Sequence, residues 1–176
     1  MNYATVKTHD IANGPGVRVS LFVSGCNHGC RGCFNKEAWD FSYGEPFTKE
    51  VEDKIIEALS KSYIKGFSLL GGEPFDPENQ KGIYEFLERV KKAYPEKTVW
   101  CYSGYNFETE LLAGKIGDWQ ITKRMLNCID VLVDGEFVEE LKNPNLRFKG
   151  SANQRIIRVK ESIEKDELVL WESDEV

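Results

Sequence analysis

Three of the chain's five cysteines fall within eight residues, directly behind an apolar run, Val17–Val23, that reads as a buried strand. The segment is Ser24-Gly-Cys26-Asn-His-Gly-Cys30-Arg-Gly-Cys33-Phe-Asn35, a C-x3-C-x2-C spacing on a polar, glycine-rich loop. Thiols this close together need something to hold, and the strand before them decides where it is held. A fold that accommodates this chain has to deliver the end of that strand to a functional edge.

The remaining pattern supplies such an edge. Residues 47–62 have helical periodicity through Val51, Ile55, Ile56 and Leu59, with Thr48 placed as N-cap. Residues 67–70 read as a short strand running into Gly71, Gly72, Glu73 and Pro74. Residues 77–94 form a helical pattern with Ile83, Phe86, Leu87 and Val90 on one face. Further strands are predicted at 97–102, 129–134 and 155–159, and short helices at 107–116 and 121–128. Strands alternating with helices imply parallel βαβ units, so the expected fold class is α/β with a mostly parallel sheet. Such sheets gather their functional residues at the strands' C-terminal ends. The cysteine loop, residues 71–74, residues 102–104 and Asp134 all fall at such ends. Residues 13–16, Asn-Gly-Pro-Gly, read as a turn.

Composition narrows the function classes. The net charge of -6 argues against a nucleic-acid partner, which needs clustered Lys and Arg. No apolar run approaches the roughly 18 residues of a membrane-spanning helix, and residues 1–10 lack the apolar core of a signal peptide. The expectation is a cytoplasmic protein with reduced thiols and no membrane partner. At 176 residues one domain suffices, with a core over 1–160 and an acidic C-terminal extension, 161–176, as an edge strand or tail.

The cysteine loop admits three readings. Unpaired buried thiols are the plainest. Structural zinc with His28 as fourth ligand is the second, although its ligands usually come as two separated pairs, and Cys26 and His28 stand too close for an easy tetrahedron. The third is a [4Fe–4S] cluster, in which Cys26, Cys30 and Cys33 bind the cube and leave one iron open to an exogenous ligand. Cys101 and Cys128 sit among apolar residues and read as core.

The C-x3-C-x2-C loop after a first strand, followed by Gly-Gly-Glu-Pro after a second, resembles the radical S-adenosylmethionine (SAM) superfamily. Asn-Gly-Pro-Gly-Val-Arg at 13–18, Cys33-Phe-Asn-Lys36, Trp39, Trp-Cys-Tyr-Ser-Gly-Tyr at 100–105, Val-Leu-Val-Asp-Gly at 131–135 and Phe-Lys-Gly-Ser-Ala-Asn-Gln at 148–154 resemble one branch of it. That branch is the activating proteins of anaerobic (class III) ribonucleoside-triphosphate reductases. The resemblance covers about residues 1–158.

It implies a partial (β/α) barrel whose cluster, bound by Cys26, Cys30 and Cys33, cleaves SAM reductively and places a glycyl radical on the reductase. It further implies that Gly32, Cys33 and Phe34 line the adenine side of SAM. Gly71, Gly72 and Glu73 would receive its ammonium, Ser103 would meet the ribose, and Asp134 would lie near the sulfonium. Reduced flavodoxin or a similar donor would supply the electron. The protein substrate would dock on an open rim formed by residues 13–18, 39–43 and 148–155. The alternatives are an activase of another glycyl-radical enzyme of the formate-lyase type, a small-molecule radical SAM enzyme, and a non-enzymatic zinc module.

Overall fold

The computed structural model describes residues 1–172. Its first long apolar run, β2 (Val17–Val23), is buried along almost its whole length, as a strand covered on both faces must be. It pairs in parallel with β4 (Ile64–Gly71), which pairs with β5 (Thr98–Tyr102), which pairs with β6 (Val131–Asp134). These four central strands are the parallel sheet that the alternating pattern predicts. The crossovers are α1 (Lys49–Leu59), α2 (Pro77–Ala93) and α3 (Trp119–Cys128). Pro77 opens α2 at a position where its missing N–H costs nothing, and the Asp76 side chain accepts the Glu78 N–H.

Antiparallel strands extend the sheet on both sides, giving seven strands in an open sheet of order β3-β1-β2-β4-β5-β6-β7. The N-terminal strand β1 (Asn2–Asp10) was not expected, nor was the two-residue β3 (Glu45–Pro46). Much of β1 is exposed, so its polar side chains carry no alternating apolar signal. The last predicted strand forms as β7 (Arg155–Arg158), antiparallel to β6, and Val159 starts α4 (Val159–Lys165). Beyond α4 the chain returns: Leu170 bridges Ile157, the Trp171 N–H donates to the Ile156 carbonyl, and the Trp171 ring meets Trp100 edge-on at 5.3 Å. Residues 173–176 of the expected extension lie outside the described residues.

The helices pack on one face of the sheet around Val19, Leu21, Phe67, Leu69, Val99 and Leu132, a core that also contains Cys101 and Cys128. The other face carries Trp100, Val131 and Val133 with Tyr102, Phe148 and Trp171 packed on them.

At the N-terminal end of β2 the fully buried Arg18 organises the turn at residues 13–16. Its guanidinium donates to Ser68 Oγ at 2.7 Å, to the Phe67 and Thr98 carbonyls at 2.8 Å each, to Thr98 Oγ1 at 3.1 Å and to the Pro15 carbonyl at 3.4 Å. Ser68 Oγ in turn donates to the Asn13 carbonyl. Burial lowers the Arg18 pKa to about 10, leaving it charged at neutral pH. Residues 13–18 thus close the end of the sheet opposite the cysteine loop, which removes them from the expected docking rim.

Replacing Arg18 with Leu orphans several buried acceptors at about 1–3 kcal/mol each, so a total loss of roughly 3 kcal/mol or more is expected. For a chain of this size that lowers the thermal midpoint by roughly 6–12 °C in circular dichroism. Arg124→Ala, which removes an exposed pair with Glu88, should lower the midpoint by no more than about 4 °C.

Candidate functional site

The cysteine loop leaves β2 at Val23 and is fastened at its start by backbone hydrogen bonds. The Gly25 N–H donates to the Ala38 carbonyl at 2.8 Å and the Cys26 N–H to Trp39 at 3.2 Å, joining the loop to a 3-10 turn, Lys36–Trp39. From the other side, the Gly72 N–H reaches the Val23 carbonyl at 2.7 Å and the Glu73 N–H reaches Gly25 at 2.8 Å. Asn79, buried in the first turn of α2, adds a second donor to the Gly25 carbonyl. The contact is so close that a Cβ at Gly72 would stand 2.4 Å from the Gly25 oxygen. The two segments that the sequence singled out are therefore one unit.

Glu73 is the centre of that unit. Its carboxylate, 1 % exposed, accepts from the Phe75 N–H at 2.8 Å, Ser103 Oγ at 2.9 Å and the Gly104 N–H at 2.7 Å. The fourth partner is His28 Nε2 at 2.8 Å, from the middle of the cysteine loop. The other ring nitrogen of His28 meets Glu136 Oε1 at 3.0 Å, and the ring packs on Tyr105. Burial pulls the His28 pKa down, but the hydrogen bonds and charges of Glu73 and Glu136 outweigh it and raise the value to about 9. A cationic imidazole thus bridges two carboxylates at neutral pH.

Cys26, Cys30 and Cys33 are free thiols, each partly exposed. Burial raises Cys26 to about 11 and also raises Cys30. Both stay protonated until a cation draws the proton off, which is how thiolate ligation couples to metal binding. Among the described residues, no three His, Cys, Asp or Glu side chains converge where a single ion would sit. Both nitrogens of His28 are already committed to carboxylates, which leaves the three thiols as the donor set. That set suits a cube, in which each thiolate meets a different iron, better than one ion with four ligands. The buried Ser24 hydroxyl, two residues before Cys26, has no partner among the described residues.

The other predicted site residues divide. Ser103 joins Glu73, and its N–H donates to the Val133 carbonyl at 2.9 Å. Gly32 lies beneath the Glu139 carboxylate, and Phe34 is 88 % exposed beside Cys33. Asp134 is buried but turned to other partners, the Phe107 N–H at 2.8 Å and Arg155 Nε at 3.0 Å. Arg155, expected as a docking residue, is further tied to Glu108. Sequence reasoning missed Glu136 and Asn79, named Tyr105 only as part of the 100–105 stretch, and weighed His28 only as a zinc ligand. Glu136 lies two residues past Asp134 at the same strand end, which is the one signal that pointed to it.

The family described as "4Fe-4S single cluster domain" matches residues 12–157. The chain is 44% identical over 156 residues to the anaerobic ribonucleoside-triphosphate reductase-activating protein of Escherichia coli K12, spanning 88% of this chain and 96% of that one. Identity to the protein of the same name from Vibrio cholerae is 44% over 160 residues, covering 90% of this chain and 98% of the relative. The counterpart from Enterobacteria phage T4 is 39% identical over 156 residues, covering 89% and 93%.

The Gly72 contact gives a direct test. Gly72→Ala forces the cysteine loop off residues 71–73, so stability should fall by about 1–3 kcal/mol, the usual cost of overpacking. Anaerobic iron uptake should drop with it. Parent-like chemical denaturation together with full iron uptake would contradict the tight docking.

Proposed function

The chain belongs to the family of anaerobic ribonucleoside-triphosphate reductase-activating proteins and carries its 4Fe-4S domain, and from that premise we propose how it works. It activates an anaerobic ribonucleoside-triphosphate reductase by generating a glycyl radical on it at the expense of SAM. Cys26, Cys30 and Cys33 would hold a [4Fe–4S] cluster. When bound and reduced, that group would supply the electron for reductive cleavage of a carbon–sulfur bond of SAM, the chemistry by which a hydrogen atom is taken from a glycine α-carbon. The observation that carries this reading is the docking of the three-cysteine loop onto residues 71–73, in a chain that shares its domain with 4Fe-4S proteins.

The chain's own residues bind, orient and shield. Residues 71–73 receive the ammonium of SAM at the segment that packs against the loop, and Glu73 keeps that segment in place through its four donors. Phe34, an exposed aromatic next to a cluster ligand, offers its face to the adenine, with Gly32 and Cys33 beside it. Ser103 lies within reach of the same carboxylate and meets the ribose. Asp134 orders the strand end through Arg155 and serves the sulfonium side of the pocket indirectly. A one-electron donor such as reduced flavodoxin feeds the cluster. Five free cysteines suit the reducing cytoplasm where we place the reaction. Among the described residues no helix is long and apolar enough to cross a membrane.

The first test is the thiol set. Cys26→Ala, Cys30→Ala and Cys33→Ala should each lose the brown colour and SAM cleavage, and Cys128→Ala should keep both. A Cys128 variant as colourless as the Cys30 one would refute the three-ligand assignment. The second test is the product. Reduced protein, SAM and an anaerobic reductase should together give a glycyl-radical doublet in electron paramagnetic resonance. SAM cleavage equally fast without the reductase, and no protein radical with it, would move the chain to small-molecule chemistry.

A further inference from the structure

The cysteine loop is well fastened where it begins but poorly fastened in its middle. Between Cys26 and Cys33 the side chains that tie it to the rest of the fold are Asn27, His28, Arg31 and the Cys30 thiol, which accepts a backbone hydrogen bond from Phe137. Asn27 donates to Asp76 at 2.8 Å. Arg31 pairs with Glu139 and Glu140, but its side chain is 83 % exposed, and exposed pairs of this kind hold little. His28 is different. Its side chain is 10 % exposed, and it crosses to three neighbouring strand ends at once. It reaches Glu73 after β4, Gly104 and Tyr105 after β5, and Glu136 after β6. A Cβ at Gly104 would stand 2.6 Å from His28 Nε2, so the ring is seated directly on that backbone.

We infer that His28 is a positioning residue that sets the orientation of the cluster loop relative to residues 71–73, and therefore the direction in which the open iron faces the SAM ammonium. This rests on the reading of the cluster and SAM given above. Cys26 accepts a backbone hydrogen bond from His28, which any residue at that position supplies, and iron binding by the thiols does not require the His28 side chain. What His28 controls is whether the two halves of the SAM site, one on the loop and one on the 71–73 segment, stand at the right separation. Its loss leaves Glu73 with three donors and the loop's middle with Asn27, the Cys30 contact to the Phe137 backbone and an exposed pair.

The experiment compares the parent, His28→Ala and His28→Gln after anaerobic reconstitution. Gln restores one donor toward Glu73 without an imidazole. Iron and sulfide per chain are measured first, and then the reduced-cluster paramagnetic resonance signal is titrated with SAM. The inference expects parent-like iron and sulfide in both variants. It expects the half-saturating SAM concentration of His28→Ala to rise roughly tenfold to a hundredfold, as for loss of a charge-assisted contact. His28→Gln should recover to within a few-fold of the parent, and SAM at saturation should give the parent spectrum in all three. An unchanged half-saturation in His28→Ala overturns the inference. So does loss of iron and sulfide in both variants, which would make His28 a support of the cluster itself. A parent protein whose signal ignores SAM would overturn the underlying reading as well, whatever the variants do.

Discussion

A buried carboxylate without partners costs several kcal/mol, so Glu73 can lie beneath the cysteine loop only because four donors surround it. Those donors come from separate places: the turn after β4 supplies the Phe75 N–H, the end of β5 supplies Ser103 and the Gly104 N–H, and the loop supplies His28. Each donor is also an anchor. A single side chain therefore fixes the mutual positions of three strand ends, and the loop that carries the thiols is one of the things it fixes. The two glycines before it let the backbone of β4 come against the loop, and the Gly25 carbonyl returns the contact by accepting from Glu73 and Asn79.

The two ends of the sheet are built with opposite polarity. At the N-terminal end, Arg18 fills the space under residues 13–16 and spends all its donors on neutral oxygens. Arg18 therefore has no donor left for a ligand. At the C-terminal end the charges are carboxylates bridged by one imidazole, and the thiols and Phe34 are left partly or wholly open. The sheet is open rather than closed into a barrel, and its functional groups collect at one end, where βαβ folds generally place them.

The central strands and the three crossover helices were legible because burial on both faces, or along one helical stripe, writes itself into the sequence as apolar runs and periodicity. Strand β1 was not legible: Lys7 and His9 are exposed, and only Tyr3 and Val6 pack partly against the core while the strand pairs with β2 and β3. The start of α4 at Val159 was read as the end of a strand because the buried Val159 fits either pattern. The cysteines and residues 71–73 announced themselves by type and spacing. Their coupling did not, since His28 and Glu73 are 45 residues apart and only the parallel register of β2 and β4 brings them together. Asp134 shows the opposite case, a residue at the right strand end whose carboxylate is taken up by Arg155.

The central claim is that three thiolates leave one iron of the cube for SAM. Mössbauer spectroscopy of protein reconstituted with iron-57 reads this most directly, because an iron whose coordination changes separates from the remaining irons of the oxidised cluster. The account predicts that adding SAM shifts the parameters of a single iron toward higher coordination and leaves the other three unchanged. Four irons that respond alike, or none that responds, would contradict it.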